Sequence, residues 1–268
     1  PIYTEPTFAG TAGKARSTNR EVFAQAMSDI NEAISLLGTK AQKHCSHFDQ
    51  YVANGLKARI ALYMGDYQTA HDAAAIAVKG GSFAFNKDFH YNDATDKSVL
   101  WGAEIIQAQG TTNPQFLVHM DIRYNNGGGY GGTARKCASA WLYNKMAPNA
   151  ARTKWWNYET LPDKTKGYQQ WKFLFADPAN TYTGADHIFM RVPEMQLIIA
   201  ETACRLGNES EAKAALNELM KTRQEGYDCS PKTGTALGKL TTDETGSLLE
   251  EIILQRRIEL WAEYGRVY

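Results

Sequence analysis

The sequence predicts a mainly α-helical protein in which tetratricopeptide-like helix pairs form a scaffold and an irregular, loop-rich segment is inserted between them. Three observations carry that prediction. Residues 51–78 (YVANGLKARIALYMGDYQTAHDAAAIAV) read as a helix, a Gly-containing turn and an Ala-rich helix, the tetratricopeptide grammar in degenerate form. The same grammar returns in residues 188–223, about 140 residues later, whereas an uninterrupted solenoid would repeat after roughly 34. Between the two copies the composition shifts to Gly, Asn, Asp and aromatics, and five of the six tryptophans fall there.

Residues 1–17 are rich in Thr, Gly, Ala and Pro without a period and read as an extended lead-in. Thr18 and Glu21 then have the spacing of a capping box, where hydroxyl and carboxylate each satisfy a backbone donor left free at a helix start. Val22, Phe23, Met27, Ile30, Ile34 and Leu37 continue as an apolar stripe up to Gly38. Ser46 and Asp49 repeat the cap ahead of a second helix, with Val52, Leu56, Ile60 and Tyr63 as its stripe. Gly65 and Asp66 make the turn, and Tyr67, Ala70, Ala74 and Ala77 line the third helix.

From Gly80 to His187 the helical period is lost. Val99–Ile106 and Phe116–Tyr124 read as strands, Ala134–Met146 as a helix, and the remainder as long loop, the kind of segment in which function concentrates. Helices resume at Ile188. Met195, Ile199, Ala203 and Leu206 form one stripe, with Glu194, Glu201 and Arg205 facing outward. Gly207 and Asn208 stop that helix, and Ala212, Leu216, Leu219 and Met220 mark an antiparallel partner. Ser247 and Glu250 cap a last helix that turns Leu249, Ile252, Ile253, Leu260 and Trp261 inward. Glu250, Glu251, Arg256, Arg257, Glu259 and Glu263 are spaced for ion pairs along its sides. The resulting organisation is a first scaffold part (residues 1–80), an inserted ligand-presenting segment (81–187) and a second scaffold part (188–268).

With 29 basic and 29 acidic residues the chain has no formal net charge, so nucleic acid and anionic membrane surfaces are not expected partners. Cys45, Cys137, Cys204 and Cys229 lack zinc-site spacing and leave the redox compartment undecided; Cys204, within a helical stripe, reads as a small core residue. No signal peptide or apolar run of membrane-spanning length is present. The chain opens on Pro1 and stops on Tyr268 directly after a helical pattern, so a fragment of a longer protein is expected.

Gly127, Gly129 and Gly132 match the spacing of a dinucleotide-binding turn, but no second strand or suitably spaced acidic residue follows, which leaves a Gly-rich surface loop. His44, Cys45 and His47 cluster as metal ligands do. They precede the Ser46 cap in a polar turn, however, and the remaining histidines have no ligand spacing, so a solvated turn is expected. No nucleophile elbow or P-loop occurs. Neither a catalytic residue, a metal ligand nor a cofactor is therefore assigned. The aromatic middle carries the chemical signal: sugar C–H faces lie on flat rings, and their hydroxyls suit planar donors and acceptors. The loop DIRYNNGGGY places Arg123, Tyr124, Asn125, Asn126 and Tyr130 together, and these are the candidate ligand-binding residues. Trp101, Trp141 and Trp171 read as core.

Four stretches resemble the SusD/RagB family of outer-membrane nutrient-binding lipoproteins: SDINEAISLL with LKARIALYMGDYQTAHDAA; LYNKMAPNAARTKWW; IFMRVPEMQLIIAETACRLGN; and QRRIELWAEYGRVY. In the third, Arg191, Glu194, Leu197, Ala200 and Glu201 fill the family's pattern. In the fourth, Arg256, Arg257, Glu259, Leu260, Glu263 and Arg266 do so, with Gln255 in place of a leading Glu, a departure expected to weaken one ion pair. The resemblance implies a tetratricopeptide-like scaffold and a non-catalytic, lipid-anchored protein at the outer-membrane surface that passes oligosaccharide or polysaccharide to a SusC-like TonB-dependent transporter. It also implies that the lipidated Cys and further helices lie outside this stretch. A helical-repeat scaffold that binds a peptide or protein is the alternative.

Overall fold

The structure is a computed structural model that describes residues 1–84, 90–106, 116–123, 135–161, 164–177, 186–238 and 244–263. In chain order the elements are α1 (Asn19–Leu37), α2 (Gln50–Met64), α3 (Tyr67–Ala77), β1 (Val99–Ala103), α4 (Phe116–Met120), β2 (Cys137–Ala138) and α5 (Ala140–Asn144). They continue with β3 (Trp156–Thr160), β4 (Lys166–Gln170), β5 (His187–Arg191), α6 (Val192–Arg205), α7 (Glu209–Met220) and α8 (Leu248–Glu259). The protein is mainly α, with a stack of α1 on α2, α2 on α3, α3 on α6 and α6 on both α7 and α8.

The helix starts follow from local chemistry. Thr18 N–H donates to the Glu21 carboxylate at 2.8 Å while Glu21 N–H donates to the Thr18 hydroxyl at 3.2 Å, which completes the capping box of α1. At α2 the cap is Asp49 and not Ser46: the Asp49 carboxylate accepts from Tyr51 N–H and Val52 N–H, both at 2.9 Å. The Ser46 hydroxyl is taken by the His44 ring at 2.9 Å, so it is not free to cap. Gly65 (φ +77°) and Gly207 (φ +85°) adopt the left-handed conformation that lets each helix pair fold back.

The apolar face of α2 is phased differently from the predicted stripe. Val52, Ala53, Ala58, Ala61 and Leu62 are buried, Leu56 and Ile60 are half-buried and Tyr63 is exposed. The cause is that α2 packs on several neighbours at once, so close approach selects its small residues; a Cβ on Gly55 would lie 2.3 Å from Met190 Sδ. Residues 188–191, predicted as helix, are instead the end of β5, and Pro193 sets the start of α6 in its first turn. Strand β5 pairs antiparallel with β1, in register Gly102 to Ile188 and Ala103 to His187. Phe116–Met120, predicted as strand, is a helical turn that buries Leu117 and Met120, three positions apart, on one side. The predicted helix over Ala134–Met146 is two elements: Cys137–Ala138 pair with β4, and Ser139 starts α5 by accepting from Leu142 N–H at 3.2 Å. Strands β2, β4 and β3 form a three-stranded antiparallel sheet in that order. All four cysteines are thiols, and Cys204 is fully buried, as read from the sequence.

Helix α6 is buried all round, so Glu194 and Glu201 do not face outward. With α3, α7 and α8 against it, α6 has no wet side, and each carboxylate is neutralised in place. Arg59 Nε donates to Glu194 at 2.9 Å and Arg205 Nε to Glu201 at 2.9 Å. The charges of α8 likewise do not pair along its sides. Glu259, fully buried, accepts from Arg223 Nε and Nη2 at 3.0 Å each, and from Arg152 Nη1 and Arg191 Nη1 at 3.3 Å each. Glu263 accepts from Arg191 Nε at 2.8 Å and is also held by Lys172, whose ammonium donates to the Glu259 carbonyl at 2.8 Å. Burial opposes charge on Glu259, but its surrounding guanidiniums outweigh that cost and hold its pKa far below the carboxylate range. For Lys172 burial wins over the Glu263 attraction, and its pKa falls to about 8. Gln255 accepts from Arg152, so at that position an amide supplies a hydrogen bond where a carboxylate would add a further charge.

This ionic knot lies where two apolar cores meet. The first, among α2, α3, α6, α7 and α8, includes Leu62, Met195, Ile198, Leu216 and Ile252. The second lies under the inserted segment and includes Leu117, Trp155, Trp156, Phe173 and Ile258.

Candidate glycan-binding surface

The three-stranded sheet sets out a row of flat rings. Along β3, Trp156 and Tyr158 are two residues apart and so share one face of the strand, and β4 contributes Tyr168 directly opposite Tyr158. The Tyr158 and Tyr168 ring centroids are 4.8 Å apart. Helix α5 lies across β4 and lays Tyr143 on Tyr168 with centroids 3.9 Å apart and planes only 15° from parallel. Trp156 closes the inner end of the row, buried, with its ring edge-on to Tyr143 at 6.5 Å and to Trp261 at 5.8 Å. Exposure increases outward from Trp156, and Tyr158 at the outer end is 57% exposed. Beside the rings stands Asn144, exposed, whose Oδ1 lies 3.4 Å from the Tyr168 hydroxyl, while Asn157, between Trp156 and Tyr158 on the strand, points to the other face. Rings fixed by stacking and by β pairing, with the Asn144 carboxamide beside them, present the open ring of Tyr158 and the edge of Tyr168 as a preformed apolar surface with a planar polar group at its rim. That is the chemistry a pyranose face requires.

Of the residues singled out from the sequence, Arg123 is described, and Tyr124, Asn125, Asn126 and Tyr130 lie outside the described residues, as do Gly127, Gly129 and Gly132. Arg123 follows α4. Its Nη2 donates to the buried Asp121 carboxylate at 2.9 Å and also to the Phe175 carbonyl, while Asp121 accepts from Phe175 N–H at 2.7 Å. The guanidinium therefore ties the chain after α4 to the chain after β4, with a third of the side chain still exposed. Trp101 is held between Phe48 and Phe189, at 4.9 and 4.7 Å, which is a packing role. The tyrosine row escaped sequence reasoning because β3 and β4 alternate too weakly to announce themselves. The signal available was Asn157-Tyr158 and Gly167-Tyr168 on two short segments joined by a turn around Lys164, whose φ is +67°.

Residues 87–268, more than half of the chain, match the sequence profile of the SusD family. The chain belongs to the SusD family. Among solved structures, the SusD-like fold is shared with a SusD-like carbohydrate binding protein from Bacteroides vulgatus at 26% identity and a TM-score of 0.78, covering 98% of this chain and 54% of that one. A SusD superfamily protein from Bacteroides thetaiotaomicron is similar at 21% identity and a TM-score of 0.69, covering 97% of this chain and 57% of that one. Surface glycan-binding protein A from Bacteroides uniformis has 18% identity and a TM-score of 0.68, covering 97% and 58%. No curated protein matches the sequence. The chain thus spans little more than half the length of its structural relatives. The two SusD-pattern stretches meet in space, since Arg191 of one binds Glu259 and Glu263 of the other. In this chain those pattern residues hold the frame together.

Proposed function

We propose that this SusD-family chain is a non-catalytic binder that captures oligosaccharide or polysaccharide at the cell surface and passes it to a SusC-like TonB-dependent transporter. The observation that carries the reading is the graded tyrosine row of Tyr143, Tyr168 and Tyr158, fixed by β pairing and left open on its outer side. Family membership and the likeness to a SusD-like carbohydrate binding protein and to a surface glycan-binding protein support it. In this reading a sugar ring lies against Tyr158 and the exposed edge of Tyr168, Asn144 meets its hydroxyls, and Arg123, Tyr124, Asn125, Asn126 and Tyr130 are the further candidate contacts. No helix among the described residues is long and apolar enough to cross a membrane.

Calorimetry against a panel of surface polysaccharides tests the binder. Tyr158→Ala and Tyr168→Ala are each expected to weaken binding roughly threefold to tenfold, the worth of one aromatic stacking contact. If both variants bind as tightly as the parent while Tyr124→Ala and Tyr130→Ala do not, the site lies on the loop alone. If none of the four changes the affinity, the surface is wrongly placed. Co-purification with a TonB-dependent transporter from the native membrane tests the hand-over, and turnover of any glycan in the panel would refute a purely binding role.

A further inference from the structure

The connection between α1 and α2 carries a second constellation, far from the tyrosine row in sequence. His44, Cys45 and His47 sit on a turn tied to β1, since Gly102 N–H donates to the Cys45 carbonyl at 3.1 Å. Gln42 Nε2 reinforces the tie by reaching the His47 carbonyl at 2.6 Å and the Leu100 carbonyl at 3.2 Å. This anchoring brings Glu104, just beyond β1, to His44: its carboxylate lies 2.5 Å from Nε2. The other ring nitrogen, Nδ1, is 3.6 Å from Cys45 Sγ, and the His47 ring lies 6.0 Å from the His44 ring, edge-on. A solvent-open pocket of about 510 Å³, bordered by His44, Cys45 and Glu104, gives access.

We propose that His44 Nδ1 and Cys45 Sγ form the core of a binding site for a zinc-class divalent metal ion, with His47 joining by rotation of its side chain and Glu104 as the carboxylate that fixes the His44 imidazole. The spacing fits. A nitrogen about 2.0–2.1 Å and a sulfur about 2.3 Å from one ion, at a tetrahedral angle, stand roughly 3.5–3.6 Å apart. The observed pair is 3.6 Å apart. The tautomer fits as well. Accepting from Nε2–H, Glu104 leaves the lone pair on Nδ1, the arrangement by which carboxylates orient metal-binding histidines. The Ser46 hydroxyl, 2.9 Å from Nδ1, and the Ser46 N–H, which donates to Nδ1 at 3.3 Å, occupy that lone pair, and an ion displaces both. On binding, the Cys45 thiol releases its proton to solvent and the thiolate becomes a ligand. A thiolate with two imidazoles selects zinc-class ions over calcium or magnesium, and water completes the coordination. The sequence alone points to a solvated turn, because Glu104 is distant from His44 along the chain and the contact exists only through the β1 tie.

The experiment is titration of the chelator-treated chain with cobalt(II), then zinc(II), under a non-thiol reductant. The expected result is a thiolate-to-cobalt charge-transfer band at one equivalent, bleached by one equivalent of zinc. Cys45→Ser is expected to abolish the band and Cys137→Ser to leave it intact. Glu104→Gln should weaken cobalt affinity roughly tenfold to a hundredfold without removing the band, as loss of an orienting carboxylate does. Circular dichroism of each variant reports that it is folded. Absence of the band in the parent, or its survival in a folded Cys45→Ser variant, overturns the proposal.

Discussion

Glu259 is the residue on which three buried guanidiniums depend. Three guanidiniums converge on it from Arg152, Arg191 and Arg223, each from a different stretch of chain. Replacing it with Gln leaves those cations without their carboxylate, so a loss of about 3–5 kcal/mol is expected from urea unfolding at neutral pH. The pH dependence has a definite sign. In the fold the carboxylate titrates well below its ordinary value of 4.5, so its stabilisation is complete above that pH and drains away as the pH falls beneath it. The gap between parent and Glu259→Gln stability is therefore expected to narrow steadily below about pH 4.5, when urea midpoints are compared from pH 7 to 3. A constant gap would mean that Glu259 is not the titrating group. At this scale the sequence misleads in an instructive way. The i to i+4 spacing of Glu259 and Glu263 looks like a solvated helix side, and only packing against β5 and the chain after α5 turns both carboxylates into buried hubs.

At the scale of elements, what was legible is what is local. The Thr18–Glu21 box, the Ser247 cap and the turns at Gly65 and Gly207 each depend on a handful of consecutive residues, and each occurs as read. What was not legible depends on partners: the phase of α2, the strand conformation of residues 188–191 and the shift from strand to helix at Phe116 all follow from neighbours distant in sequence. Gly81 shows how tight those neighbours are. A Cβ there would lie 2.5 Å from the Lys97 carbonyl oxygen and 2.9 Å from Val192, and the first of these is backbone that has little room to give. Gly81→Ala is expected to cost about 1–3 kcal/mol by differential scanning calorimetry or denaturant titration. Gly13→Ala, with open space around it, is the matched control and should leave stability unchanged. Equal melting temperatures for the two variants would contradict the close approach.

Across the whole molecule, the two apolar cores share their boundary with the Glu259 and Glu263 knot, so they are expected to unfold as one. Tryptophan fluorescence reads chiefly the second core, through Trp155, Trp156 and Trp261, whereas far-ultraviolet circular dichroism reads the helix stack. The two signals are expected to give coincident urea transitions in the parent chain and to separate in Glu259→Gln. Coincidence in both would show that the cores are coupled by other means. The frame was readable because its periodicity spans whole helices, while the tyrosine row is assembled from α5, β3 and β4, none longer than five residues, and so left almost no periodic trace. One feature of the frame bears on everything inserted into it. Because Ala103 and His187 face each other across β1 and β5, the chain leaves the scaffold and re-enters it through adjacent doorposts. What lies between returns to the frame through Arg152 and Lys172, so its freedom is in the spans outside those anchors: lengthening such a span costs only the slow, logarithmic growth of closure entropy, and a recognition surface can grow there without rebuilding the walls.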